Sequence, residues 1–275
     1  MNDLRCNTKY IGKQYVWLEE TDSTNSLMKR LLDEGTTVES GDGYGVLIEG
    51  NPVEGLMLLS NKQTAGRGRS GHTWSSPSGS SIALSVLLRP QTTADEIPMI
   101  TLIAAMAVAS AIDKASGVNT TIKWPNDVLI GDKKVCGILT ELDIRDNVKS
   151  LIVGIGVNIS QESFPEEIEK VATSLLIETG LFVDKEVLAG LLAEELEKYY
   201  ELFLETKDMS KLKDEYSSKL VNMNKEVKVL DPSMNITGIA RGIDSEGQLL
   251  VETSDGVIHH IYAGEVSVRG IYGYV

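Results

Sequence analysis

The chain has 275 residues, with 26 lysines and arginines against 40 aspartates and glutamates, and its formal net charge is −14. This length allows one large domain of about 200 residues and a smaller appended domain. The acidic surplus contains no basic block, which argues against electrostatic binding of nucleic acid, because such binding neutralises phosphates with lysine and arginine. Cys6 and Cys136 have no metal-ligand spacing and favour reduced thiols in the cytoplasm.

The first part of the chain predicts alternating strands and helices. A short strand is expected over residues 15–18, and residues 21–23 offer side chains that can cap a helix ending near Gly35. The first twenty residues contain no hydrophobic stretch typical of a signal peptide. Further strands are predicted over residues 46–48, 56–60 and 82–88.

Residues 97–116 give the strongest helix prediction, because they are rich in alanine, apolar on nearly all sides and followed by Gly117. The apolar run from Ile97 to Ile112 falls short of the ~20 residues of a membrane helix, so we expect a central packing helix. Four strands should follow, over residues 122–124, 128–130, 135–142 and 150–157. Amphipathic helices are predicted over 166–179, 185–205 and 209–219, and short strands over 226–230, 235–244, 248–253 and 257–262.

The most informative segment is residues 63–79, QTAGRGRSGHTWSSPSG, which directly follows a predicted strand. Its glycines let backbone N–H groups approach an anion closely, and Arg67 and Arg69 add forked, permanently charged donors. Such a loop is suited to hold a phosphate or carboxylate of a small molecule. Taken alone, the segment also allows a solvated turn with incidental arginines.

Four further motifs occur in chain order near predicted strand ends. They are residues 22–25 (DSTN), 121–130 (TIKWPNDVLI), 134–141 (KVCGILTE) and 154–159 (GIGVNI). Together with the arginine–glycine loop, these motifs closely resemble the biotin protein ligase family. Residues 238–250 and 264–269 resemble the small C-terminal β-domain of that family, so the resemblance runs from about Trp17 to the C-terminus.

The resemblance implies an α+β fold: a mixed-sheet, class II synthetase-like catalytic domain with packed helices, residues 1–221, then a small SH3-like β-barrel domain, residues 222–275. It implies that biotin and ATP form biotinyl-adenylate with release of pyrophosphate, in the presence of Mg²⁺. Biotin then passes to a lysine of a biotin carboxyl carrier protein or domain. About twenty residues before the first motif leave no room for a winged helix-turn-helix, so we expect no repressor activity. A homodimer through a sheet edge, as in some relatives, stays open.

Joining a carboxylate to ATP brings two anions together, so the site needs fixed cations. Lys123 lies where an apolar strand ends at Pro125, which would aim an ammonium group into a cleft. The resemblance gives this lysine contacts to the biotin carboxylate and the phosphate, and gives Arg67 and Arg69 the closure of a loop over the adenylate. A solvated strand lysine and free loop arginines are the alternatives. We therefore expect Lys123 and Arg69 to be catalytic.

The resemblance also divides the site residues between the two substrates. Small hydroxyls and amides suit the neutral urea group of biotin, although residues 23–25 can also serve as a helix cap. Trp74 is expected to pack over adenine or to anchor the loop. The residues expected to bind biotin are Ser23, Thr24, Asn25, Gln63, Arg67, Gly68, Arg69, Lys123 and Gly137. Those expected to contact ATP or the adenylate are Arg67, Arg69, Trp74, Lys123, Asn126 and Asn158, and Asp127 is expected to hold Mg²⁺ through water.

Two other classes of protein remain as alternatives. A lipoate ligase shares the architecture and the acyl-adenylate chemistry, but this chain has no Arg-Arg-x-Ser-Gly-Gly-Gly loop. A non-catalytic binding module would need no placed lysine at position 123. Pyrophosphate release in the presence of biotin and ATP separates the three.

Overall fold

The computed structural model describes residues 4–34, 52–74, 79–91, 93, 96–145, 148–231, 234–263 and 267–270. The strand predicted over residues 46–48 lies outside these ranges. Strands and helices alternate through the first part of the described chain, and short strands dominate its C-terminal part, as the sequence predicted.

The larger part of the fold is built on one sheet. Its strands are β1 Tyr15–Thr21, β2 Met57–Gln63, β3 Ser81–Leu88, β4 Thr120–Lys123, β5 Asp127–Ile130, β6 Lys133–Arg145 and β7 Val148–Asn158. They lie in the order β1-β2-β3-β7-β6-β5-β4. β1 and β2 are parallel, and every other neighbouring pair is antiparallel. The predicted mixed sheet is therefore confirmed.

Helices cover both faces of this sheet. They are α1 Thr24–Glu34, α2 Ile97–Ser116, α3 Leu175–Thr179, α4 Lys185–Thr206 and α5 Lys213–Lys219. Met28 and Leu31 of α1 pack with Leu87 on one face, whereas α2 and α4 pack together with Leu84 and Ile155 on the other. Because β3 is covered on both faces, all of its residues are buried.

The central helix α2 is a core element. By length and apolar composition its 20 residues could cross a membrane, so the argument that the segment is too short was wrong. Thr101 and Ser110 do not interrupt it, and most of the helix is buried. It ends at Gly117, which has φ +73° and donates its N–H to the Asp113 carbonyl at 2.8 Å. The predicted packing role is confirmed.

The helix predicted over residues 166–179 is wrong for most of its length, because only α3 is helical there. Ser174 has an extended backbone, and its hydroxyl accepts a backbone N–H of the first turn of α3. Residues 171–173 instead lie beside Lys134. The backbone N–H of Lys134 donates to the Val171 carbonyl at 2.8 Å, and the Lys134 carbonyl accepts the Thr173 N–H at 2.9 Å. Pairing with the main sheet outweighs the helical periodicity of the sequence. The helix predicted over 209–219 is also shorter, since α5 begins at Lys213.

A second, separate sheet forms the C-terminal part, as predicted. Its strands are β8 Glu226–Asp231, β9 Met234–Ile243, β10 Leu249–Glu252, β11 Ile258–Ile261 and β12 Ser267–Gly270. Their order is β11-β10-β9-β8-β12, with antiparallel neighbours throughout. The domain boundary predicted between residues 221 and 222 falls in the turn between α5 and β8. Trp124 joins the two sheets by donating its indole N–H to the Gly247 carbonyl at 3.1 Å.

Candidate active site

A trough crosses the face of the main sheet that carries α1. Its floor consists of small residues that are direct neighbours in the ladder: Ala83 pairs with Gly156, and Gly156 pairs with Gly137. One step along the strands, Ser85 pairs with Gly154. These residues share a face because side chains two apart on a strand point the same way. The backbone of the sheet is therefore open to groups that lie on it.

Polar residues at the start of α1 close one end of the trough. Ser23, Thr24 and Asn25 are buried there. The backbone N–H of Thr24 donates to Gln63 Oε1 at 2.8 Å, so the β2 glutamine satisfies one of the free donors of the helix N-terminus. The Ser23 hydroxyl accepts the Ser26 N–H at 3.4 Å. Residues 23–25 thus begin the helix and line the cleft together.

The amide of Asn25 has a fixed orientation. Its Nδ2 donates to the Leu139 carbonyl at 3.2 Å and to Glu141 Oε2 at 2.8 Å, while its Oδ1 lies 2.6 Å from the Ser85 hydroxyl. Both amide hydrogens are used inside the protein, so only the carbonyl oxygen can serve a ligand, as an acceptor. A Cβ at Gly154 would lie 2.4 Å from this oxygen, which explains why glycine stands there.

The arginine–glycine loop folds back as a small hairpin over the trough. Gly66 accepts the Trp74 N–H at 3.0 Å, and Gly68 donates to the His72 carbonyl at 2.6 Å. The tip is a single 3-10 turn over Arg69–Gly71, and Gly71 has φ +77°, which strongly favours glycine. The predicted turn is therefore an ordered hairpin that lies against the sheet.

Arg67 is bound to the sheet through Glu141. Its Nη2 donates to Glu141 Oε2 at 2.7 Å, and Lys29 of α1 donates to Oε1 of the same carboxylate at 2.7 Å. The Glu141 side chain is only 16% exposed. Burial by itself raises the pKa of this carboxyl, but hydrogen bonds from Lys29 and Asn25 and the Arg67 charge outweigh it, so the pKa is lowered. The carboxylate stays ionised at neutral pH and anchors the loop.

Arg69 lies where the trough meets a second cavity. Its Nη1 is 3.5 Å from Asn126 Oδ1, and both side chains line the two spaces. The second cavity, of about 190 Å³, extends between the start of α2 and Ala263 of the C-terminal part. One arginine and one asparagine therefore stand at the junction where two bound molecules could meet.

Lys134 is the lysine that lines the trough in this structure, whereas Lys123, predicted from the sequence, lies at the buried end of β4. Lys123 is 6% exposed and does not line the trough. Lys134 does line it, and its Nζ lies 3.0 Å from the position of a Cβ on Gly137. An irregularity in the β5–β6 register, between Val128 and Leu129, brings Lys134 to the same face as Gly137.

Two other predicted residues lie outside the lining. Asp127, expected to hold Mg²⁺, forms an ion pair of 2.6 Å with Lys134. Asn158, expected to contact the nucleotide, is buried; its Nδ2 donates to the Thr173 carbonyl at 3.0 Å, and its Oδ1 accepts from Gln161 at 3.0 Å. Asn158 therefore fixes the segment that precedes α3. Among the described residues there is no group of three His, Cys, Asp or Glu side chains that could hold a metal ion.

Trp74 occupies much of the cleft. A Cβ at Gly156 would lie 2.4 Å from its ring, and Lys134 Nζ lies 5.8 Å from the ring centroid. Its buried indole N–H has no hydrogen-bond partner within the described part of the chain. The space left in the trough is about 50 Å³, whereas ligand pockets usually measure ~300–1,000 Å³. A ligand must therefore move the indole to enter.

The structure brings most of the predicted site together. The predicted residues that line the cleft are Ser23, Thr24, Asn25, Gln63, Arg67, Gly68, Arg69, Trp74, Asn126 and Gly137. Sequence reasoning missed Lys134, Glu141, Ser85, Gly154 and Gly156. Strand alternation was the available signal for Glu141, since it is two and four residues beyond Leu139 and Gly137 on β6.

Comparison with known proteins gives consistent matches. A model of the biotin/lipoate A/B protein ligase family matches residues 49–158, and one of the biotin protein ligase C-terminal domain matches residues 223–269. The bifunctional ligase/repressor BirA of Bacillus subtilis is 38% identical over 228 residues, 81% of this chain and 69% of that protein. The biotin–[acetyl-CoA-carboxylase] ligase of Mycobacterium tuberculosis is 31% identical over 227 residues, 79% of this chain and 80% of that protein. A structure of biotin protein ligase from Aquifex aeolicus in complex with biotin and ATP has a TM-score of 0.79 and 31% identity, over 94% of this chain and 99% of that one. This chain therefore belongs to the biotin protein ligase family.

Proposed function

We propose that this chain joins biotin to ATP, forming biotinyl-adenylate and pyrophosphate, and then transfers biotin to a lysine of a biotin carboxyl carrier protein or domain. The observation that carries the proposal is the distribution of polarity along the cleft. Neutral polar residues 23–25 and Gln63 line the cleft, with Asn25 beside Gly154, whereas the cation Lys134 lies beside Gly137 and Arg69 beside Asn126. A ligand with a neutral urea head and a carboxylate tail matches this distribution.

The residues that would hold the two ends of such a ligand lie on neighbouring rows of the floor. Asn25 lies against Gly154, and Lys134 and Trp74 lie against Gly137 and Gly156. One strand step of two residues, about 7 Å, separates the row that contains Gly154 from the row that contains Gly137 and Gly156. The Asn25 acceptor would receive a urea N–H, and the tail would run over the glycines toward the ammonium group. Trp74, once displaced, would cover the ligand or the adenine.

Catalysis in this proposal rests on position and charge. Lys134 and Arg69 would screen the repulsion between the biotin carboxylate and the α-phosphate, and would stabilise the charge that develops as the carboxylate oxygen attacks phosphorus. Pyrophosphate would leave while the loop keeps water from the mixed anhydride. Mg²⁺ bound to the phosphates would arrive as part of the ATP substrate. The acceptor lysine would then attack the biotinyl carbonyl and release AMP.

A direct experiment separates this function from its alternatives. Pyrophosphate release would be measured with ATP and either biotin, lipoate or no acid, followed by mass spectrometry of a purified carrier domain. We expect release with biotin and a mass increase at one carrier lysine. Release only with lipoate would indicate a lipoate ligase, and no release with either acid would indicate a binding module.

We also propose that the partner is a carrier protein and not DNA. The formal charge of −14 repels a phosphate backbone but attracts a lysine presented on a turn. Raising the salt concentration should therefore slow biotin transfer more than adenylate formation. A sequence-specific gel shift near physiological salt would contradict the first claim, and equal salt sensitivity of the two steps would contradict the second. The free thiols of Cys6 and Cys136 suit a cytoplasmic location.

A sheet edge offers a place for a second copy of the chain. β5 pairs with β6 only between Lys133 and Gly137, and Ile138 still donates its N–H to the Asn126 carbonyl; from Leu139 onward the strand partner of β6 within the described ranges is β7. Ile144 near the end of this edge is 59% exposed. Open strand edges readily pair with other chains. We propose a homodimer through this edge, to be tested by sedimentation of the wild type and of Ile144→Lys, in which the dimer should dissociate.

A further inference from the structure

Glu141 connects its own strand, β6, to two segments that are far from it in the sequence. Its Oε2 accepts hydrogen bonds from Asn25 at 2.8 Å and from Arg67 at 2.7 Å, and its Oε1 accepts one from Lys29 at 2.7 Å. Asn25 and Lys29 belong to α1, whereas Arg67 belongs to the arginine–glycine loop. One oxygen atom is thus shared by a residue that lines the neutral end of the cleft and by the loop that covers it.

The carboxylate of Glu141 fixes the orientation of the Asn25 amide. An ionised carboxylate only accepts hydrogen bonds, so it holds the Asn25 amide with its nitrogen toward Glu141 and its oxygen toward Ser85. The same negative charge holds the Arg67 guanidinium and so fixes the glycine-rich hairpin to the sheet. Because Glu141 is largely buried, solvent does not compete effectively for its oxygens.

We propose that Glu141 is a positioning residue that couples loop closure to recognition of the ligand head, so that a ligand seated on Asn25 also keeps the loop closed. This inference rests on the proposed function and deepens it. When the ligand donates a hydrogen bond to Asn25 in this orientation, Glu141 stays in place and retains Arg67. When Glu141 is neutralised, the loop opens more often and the reactive adenylate escapes.

The test uses the full chain and measures how fast preformed, labelled biotinyl-adenylate is released into solution. Glu141→Gln keeps the size of the side chain but removes the charge and the fixed polarity. Arg67→Gln removes the contact of the loop with the same carboxylate. Lys29→Met removes the third partner of the same carboxylate and leaves the cleft lining intact, so it is the matched control. Thermal unfolding of each variant confirms that it is folded.

We expect Glu141→Gln to release adenylate about tenfold faster or more, as for the loss of a hydrogen bond to a charged group. Arg67→Gln should show a similar increase, and the double variant should release no faster than the faster single variant, because the contact is shared. Lys29→Met should stay within about twofold of the wild type.

Three results would overturn the coupling: unchanged release in Glu141→Gln, independent additive effects of the Glu141 and Arg67 changes, or an equal effect of Lys29→Met. If Glu141→Gln does not fold, Glu141→Asp is used, which keeps the charge but shortens the reach, and unchanged release then counts against the proposal. A wild-type chain that forms no adenylate overturns the proposed function instead. Release of labelled biotin from the same variants then decides whether Glu141 holds the loop.

Discussion

Replacing Lys134 by alanine removes the ammonium group that lines the cleft beside Gly137. A fixed charged donor aimed at developing charge stabilises a transition state by about 2.7–4 kcal/mol, and each 1.36 kcal/mol changes the rate tenfold. We therefore expect Lys134→Ala to slow adenylate formation by about 10²–10³-fold, measured by pyrophosphate exchange at saturating biotin and ATP.

The same change has a separate effect on stability. Asp127 is 13% exposed and loses its ion-pair partner at 2.6 Å, so the free energy of unfolding should fall by about 1–3 kcal/mol. Urea denaturation measures this loss, and the exchange rate is compared at a temperature where both proteins are folded. Biotin binding should survive in part, because the neutral end of the cleft is unchanged.

Control variants separate position from charge. Lys133→Ala removes the adjacent positive charge, which lies on the opposite face of β6, and should leave the exchange rate within about twofold. Lys134→Arg keeps the charge and should recover only part of the activity, because the guanidinium has a different shape and reach. An exchange rate for Lys134→Ala within threefold of the wild type, or a larger loss in Lys123→Ala, would refute the assignment.

Three further outcomes are expected. Gly154→Ala places a methyl group 2.4 Å from Asn25 Oδ1, so overpacking of about 1–3 kcal/mol should raise the KM for biotin about tenfold; an unchanged KM would contradict the described cleft. Biotin should displace the Trp74 ring from Gly156, so intrinsic fluorescence should change on titration and the change should vanish in Trp74→Phe; its persistence would place the movement elsewhere. Burial raises the pKa of the Cys136 thiol, so this cysteine should react with a thiol reagent only after unfolding in guanidinium, as judged by mass spectrometry of the labelled peptides.

The sequence alone determined the parts of this protein that depend on local chemistry. The arginine–glycine loop was recognisable because closely spaced glycines and arginines are suited to bind an anion. Residues 23–25 were recognisable because short polar side chains are favoured at a helix start. The alanine-rich segment 97–116, apolar on nearly all sides, indicated a central packing helix. Motif order then indicated the family, and with it the mixed sheet and the C-terminal β-domain.

The tertiary structure decided which charged groups meet at the cleft. Strict alternation along β6 would place Lys134 on the face opposite Gly137, since the two are three residues apart, and the register irregularity beside Leu129 reverses this. Glu141 gained its role only because α1, β6 and the loop converge on one carboxylate. Residues 171–173 have a helical sequence pattern but pair with the backbone of Lys134 instead. Each outcome depends on ladder register and on contacts between distant segments, and the free energy of these contacts exceeds the local preferences that a sequence pattern expresses.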